Sequence, residues 1–172
     1  MRLAPARALE SMTADELAEA IRPLWEDAGP LVPRLVGRRF GSWDGLVTAV
    51  ERELAAAPDD FRAEVLRAHP RLGDDPAELE RRSRLSWAEQ GGNRSADVET
   101  ARRLRDLNDR YEARFGFPFV EWVAGRPLSA MPGVIEDRLG NDPPTELDKG
   151  SAALVAIARD RLRRIEVKEA TK

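Results

Sequence analysis

One histidine stands in this sequence, His69, and a proline follows it. Proline disfavours the helical conformation in the residue before it, so a helix running through Ala68 should stop at His69. A histidine at a helix C-terminus feels the negative end of the macrodipole, which favours its protonated form. The spacing therefore predicts a titratable group at an exposed helix end, aimed by Pro70; an ordinary helix cap fits the same two residues. A second cluster is Ser86, Glu89 and Gln90, just before Gly91 and Gly92. On a helix these stand at i, i+3 and i+4, so a hydroxyl, a carboxylate and an amide share one face. Glu89 falls in the last turn, where the dipole disfavours negative charge and raises its pKa toward the range useful for proton transfer. A solvated helix face is the bland alternative. Arg138 offers a fixed fork of donors suited to a carboxylate or a ureido oxygen. It also precedes Gly140, and an arginine near a helix C-terminus is electrostatically routine. The run Phe115 to Val120, FGFPFV, completes the set. It reads as a stiff, apolar, non-helical link whose backbone N–H groups need partners, which a ligand can supply. A core plug is the other use of these phenylalanines.

The rest of the composition limits what such residues can do. The chain has no cysteine, which removes disulfides, thiolate nucleophiles and thiolate metal sites together. A single histidine rules out a histidine-rich metal site, and no DxDxDG-like loop suggests an all-carboxylate one. Basic and acidic residues, 28 and 31 of them, are mixed along the chain, giving a net charge of -3. No one-sided basic face for nucleic acid is expected. No apolar run approaches the roughly 18–20 residues that span a bilayer, and MRLAPARALE lacks the apolar block of a signal peptide. These features fit a cytoplasmic protein.

Helical signals run nearly throughout the elements that must position these groups. Thr13 and Glu16 form a capping box ahead of Leu17, Ile21, Leu24 and Trp25, with Pro23 set to kink or end that helix. Ser42 caps a helix faced by Leu46, Val50 and Leu54. Another starts near Asp59 or Asp60 and carries Phe61, Val65 and Leu66. Asp75-Pro76, with Glu78 three residues after the cap, opens a helix running to about Gln90. A longer one covers roughly 95–115, with Leu104, Asn108, Tyr111 and Phe115 on one stripe. Two more are expected around 128–139 and 145–166, the last capped by Thr145. Strand-like alternation is missing apart from a short apolar stretch at Phe117–Val123. The pattern predicts an all-α fold, a single compact domain spanning residues 1–172 with about seven or eight helices.

In order and spacing, several segments resemble the 2-oxo-4-hydroxy-4-carboxy-5-ureidoimidazoline (OHCU) decarboxylase family. They are AHPRLG at 68–73, SWAEQ at 86–90, LNDRYEARFGFPFV at 107–120 and RLGN at 138–141. LESMTADELAEAI is similar to the family's opening helix, and the EL…I.RDRL pattern at 146–162 to its closing one, so the resemblance covers roughly 9–165. It implies an all-helical homodimer without metal or organic cofactor, which turns the last unstable intermediate of urate oxidation into S-allantoin. It further implies a catalytic His69 beside Pro70 in the pocket, substrate contacts from Ser86, Glu89 and Gln90, and roles for Arg138 and for the backbone at Phe119 and Val120. The partner so implied is a small anionic ureido-imidazoline. The chain departs from the family after Val120: Glu121-Trp122-Val123-Ala124-Gly125-Arg126 stands where small or apolar residues and then a basic one are usual. The segment after the His-Pro pair, RLGDDPAELE, is also more polar. The alternatives are an enzyme of the same fold acting on a related ureide or imidazolone acid, and a helical binding module in which His69, Glu89 and Arg138 are plain caps. Convergence of those three on one concave pocket distinguishes the enzymes from the module.

Overall fold

A computed structural model describes residues 3–72 and 98–170, with side chains to Ile165. The expected helix at 75–90 lies outside the described residues. Among the described residues there are seven α-helices, two short 3₁₀ helices and no strand. The α-helices are α1 (Ala14–Ile21), α2 (Val32–Leu35), α3 (Trp43–Ala56), α4 (Asp59–Arg67), α5 (Val98–Phe115), α6 (Met131–Arg138) and α7 (Pro143–Ala170). No helix among these residues is long and apolar enough to cross a membrane.

Local chemistry sets most of the boundaries. The Thr13–Glu16 capping box forms with both of its bonds, and α1 ends before Pro23. Ser42 caps α3 by accepting from the Gly45 N–H at 2.9 Å. α5 ends at Gly116, whose φ of 78° is a left-handed value that glycine adopts without a Cβ clash. α7 departs from expectation at its start. Asp142, not Thr145, is the cap: its carboxylate accepts from the Thr145 N–H at 2.8 Å, with Pro143 in the first turn. Proline loses nothing there, because that N–H has no intrahelical partner. The helix thus begins two residues early, and it runs on to Ala170.

The buried side chains form two clusters. One holds Leu17, Ile21 and Leu24 with the apolar face of α3. The other gathers Leu104, Leu107 and Tyr111 of α5 with Phe117, Phe119 and the apolar face of α6. α7 contributes to both, giving Leu154, Ala158 and Leu162 to the first and Leu147, Ala153 and Ile157 to the second. It packs closely on α4 as well: a Cβ added at Gly150 would lie 2.8 Å from Leu66. The end of α4, which leads into His69, is thereby set against the first third of α7.

Candidate active site

α4 stops as its proline demands. Ala68 is the cap, and the His69 N–H makes a tightened turn to the Leu66 carbonyl at 3.0 Å. Pro70 behind it is buried. His69 itself is partly buried rather than at an exposed end. Burial first, then the nearby Arg161 charge, push its pKa down to about 4, against an opposing pull from Glu26. The protonated state expected from the helix dipole is therefore corrected. A surface dipole effect amounts to about 0.3–1 kcal/mol, whereas burial shifts a pKa by up to several units. At neutral pH His69 is an uncharged imidazole, able to accept a proton.

Arg161 is fixed in place. It donates to the Leu24 carbonyl at 3.0 Å and to Glu26 at 2.9 Å, from a side chain that is 1% exposed. It was not singled out from the sequence, although a signal existed. Leu154, Ala158, Arg161 and Ile165 stand on one stripe of α7, and all four are buried. A cation within an apolar helical stripe needs buried partners, and that conflict marks the position.

The imidazole lines a cleft open to solvent. His69, Pro70 and Leu72 form one wall, Phe119 and residues 121–124 the other, and Ile157 and Arg164 of α7 complete it. On its other side, the His69–Pro70 ridge borders a second concavity beside Arg71, Glu112 and Phe117. Arg71 ties this ridge to α5 through Asp109, at 2.7 Å, and Glu112.

Three of the residues singled out in the sequence thus meet: His69, Pro70 and Phe119. Val120 is buried next to Phe119, and Arg138 lies behind that wall rather than in it. The Arg138 guanidinium sits 5.0 Å from the Phe119 ring centre. It donates to Glu146 at 2.7 Å and 3.0 Å, to Glu121 at 3.0 Å and to the Val120 carbonyl at 3.4 Å. Glu146 is fully buried and also accepts from the Tyr111 hydroxyl and from Asn141 at 2.5 Å. Burial and the Glu146 carboxylate hold the Tyr111 phenol well above its usual pKa. Glu146 carried no signal in the sequence, where it reads as one more acid in a helix's first turn. Ser86, Glu89 and Gln90 lie outside the described residues, and of His69 and Arg138 only His69 lines the cleft, so the expected convergence of His69, Glu89 and Arg138 is not seen among the described residues.

The arrangement sets a neutral imidazole beside the aromatic ring of Phe119 in a cleft open to solvent. Comparison with known proteins identifies the family. The profile of the family described as OHCU decarboxylase matches residues 10–163. A 2-oxo-4-hydroxy-4-carboxy-5-ureidoimidazoline decarboxylase from Halalkalicoccus jeotgali is 28% identical over 162 residues, 92% of this chain and 90% of that one. The uric acid degradation bifunctional protein PucL of Bacillus subtilis is 26% identical over 90% of this chain, which spans 31% of that longer protein. Among solved structures, an (S)-allantoin synthase superposes with a TM-score of 0.65 at 20% identity, covering 94% of this chain. The chain spans 54% of that structure, and at this identity the likeness is one of fold.

Proposed function

The chain belongs to the OHCU decarboxylase family, and from that membership we propose that it decarboxylates 2-oxo-4-hydroxy-4-carboxy-5-ureidoimidazoline to (S)-allantoin in urate breakdown, as a cytoplasmic homodimer. The observation that carries the mechanism is a neutral His69 in a cleft that Phe119 and residues 121–124 also line.

The substrate holds its own electron sink. Its carboxylate and hydroxyl share one ring carbon, next to an imine carbon that bears the ureido group. As CO₂ leaves, the C–C bonding pair moves toward the imine and forms an enol, while the imine nitrogen takes a proton. The enol oxygen then gives up its proton, and the ureido-bearing carbon accepts one from a single face. One proton is consumed overall, and the product has a ring amide carbonyl and one stereocentre. No electron-accepting cofactor is needed for this sequence, unlike decarboxylations that borrow one.

The protein must fix one orientation and move the hydroxyl proton. His69, uncharged near neutral pH, is suited to accept that proton; the aromatic face of Phe119 supports the ring. Glu89, with Ser86 and Gln90, is assigned to the hydroxyl and ring oxygens, as the family resemblance implies. Arg138 acts from behind, through its bonds to Glu121 and Val120. General acid–base help of this type contributes about 10²–10⁴-fold in rate.

The test uses freshly made product of urate oxidation, followed by circular dichroism for (S)-allantoin. Wild-type protein should accelerate its appearance over the spontaneous background, and His69→Ala should lose about 10²–10⁴-fold in kcat. Near-normal turnover by His69→Ala would remove the histidine from the mechanism, and equal rates with and without wild-type protein would remove the function.

A further inference from the structure

The wall opposite His69 is built unusually. Val123 to Arg126 make a tight turn closed by the Arg126 N–H on the Val123 carbonyl at 2.8 Å. Both central residues have positive φ, 51° at Ala124 and 77° at Gly125. That pattern is the one a type I′ turn requires; glycine enters it freely, whereas alanine at positive φ costs about 1–2 kcal/mol. Something must hold Ala124 there.

The turn folds the Arg126 guanidinium back over the non-helical segment that precedes it. It donates to the Trp122 carbonyl at 2.7 Å, to the Val123 carbonyl at 3.0 Å and to Glu121 at 2.5 Å. The other oxygen of Glu121 accepts from Arg138 at 3.0 Å, and Arg138 also donates to the Val120 carbonyl at 3.4 Å. Glu121 thus joins two arginines that between them hold the carbonyls of residues 120, 122 and 123. In a trans peptide the N–H of the next residue points opposite to the carbonyl. The N–H groups of Glu121, Val123 and Ala124 are therefore turned away from the guanidiniums. Neither arginine lines the cleft, while residues 121–124 do. Among the described residues none of these three N–H groups has a backbone acceptor.

We propose that Glu121 is a positioning residue for the substrate: its carboxylate, clamped between Arg126 and Arg138, sets the N–H groups of Glu121, Val123 and Ala124 facing the His69 cleft as donors to substrate oxygens. The proposal rests on the decarboxylase assignment for the substrate, but the clamp itself is a property of the folded chain. Glu121 does not touch the reacting atoms, so its loss weakens binding more than chemistry. Such a change appears in KM with kcat preserved.

Glu121→Ala should raise KM about tenfold, which corresponds to one or two weakened hydrogen bonds, with kcat within about twofold of wild type. Arg126→Ala should do the same. The double variant should be no worse than either single one, since each removes the same clamp. Glu121→Gln, which keeps a carbonyl oxygen and the shape, should recover part of the loss. A variant that merely folds poorly would lower apparent kcat at unchanged KM, and that result overturns the proposal, as does a KM within twofold of wild type in Glu121→Ala. Amide NMR reads the clamp without turnover. The Val123 and Ala124 N–H signals should move, and exchange faster, in Glu121→Ala, and they should shift on addition of (S)-allantoin to wild type. Unchanged Val123 and Ala124 signals in Glu121→Ala overturn the clamp even if the protein proves inactive on the ureidoimidazoline. Inactive wild type with a responsive clamp instead overturns the decarboxylase assignment and leaves the clamp standing.

Discussion

His69 carries a proton or lacks one according to what surrounds it, and in this fold it lacks one. Burial and Arg161 depress its pKa to about 4, from an ordinary 6.5. Because it is the only histidine, its ring proton signal can be followed by NMR without assignment. The midpoint should lie near 4 in wild type, and Arg161→Gln should move it upward by removing the nearby positive charge. A wild-type midpoint between 6 and 7 would show that the ring is solvated and the base assignment wrong. The same shift makes stability depend on pH. Below about 6.5 the unfolded chain takes up a proton that the folded ring refuses until about 4, so the unfolded state binds more protons across that window. Stability contributed by the neutral ring is full above about 6.5 and declines as pH falls toward 4. His69→Gln should show a flatter decline in Tm over that interval, which separates this effect from the titration of carboxylates.

At the scale of elements, the start of α7 holds a cluster of buried polar bonds near the site. Glu146 lies in its first turn, where a carboxylate suits the helix dipole, and it is reached from α5 by Tyr111 and from α6 by Arg138. Three helices meet on one acid. Removing that acid leaves Arg138 buried without its main counter-charge, a loss that costs about 3–5 kcal/mol. Glu146→Ala should therefore be strongly destabilised in urea or thermal unfolding, well beyond Glu51→Ala. That comparison removes a surface carboxylate whose bridge to Arg159, at 2.7 Å, is half exposed and worth at most about 1 kcal/mol. Equal losses in the two variants would mean that the buried network is not what joins these helices. The cap of α7 belongs to the same scale. The Thr145 N–H holds the Asp142 carboxyl below its ordinary pKa, so its contribution is present above the ordinary carboxylate range and fades as pH falls below it.

For the molecule as a whole, the site stands where the two apolar clusters adjoin. α7 runs through both, sending Arg161 to Leu24 and Glu26 beside the first cluster and Ile157 to the cleft beside the second. His69 is seated between them, so its surroundings depend on how the clusters pack and on no single helix. The toolkit is equally a property of the whole chain, with no cysteine and one histidine. Among the described residues no group of three His, Asp or Glu side chains is placed to hold a metal ion. Prolonged dialysis against a chelator should leave kcat unchanged; a loss restored by added metal would require another mechanism.

The sequence determined most of the described helices, because capping, proline and periodicity act over a few residues. Thr13, Ser42, Pro70 and Gly116 place their boundaries where short-range rules put them. It also singled out His69, Pro70 and Phe119, which the fold brings to one cleft, and it flagged Glu121 as out of place. Its error at Thr145 was local too, since Asp142, three residues earlier, caps the same turn instead. Only the tertiary structure decided the charge on His69, because burial and Arg161, 92 residues further along, outweigh the nearby helix dipole. Only it placed Arg138 behind the cleft wall and gave Glu121 its two arginines. Electrostatics in a buried site is set by whichever groups packing brings close, and sequence spacing carries little of that information.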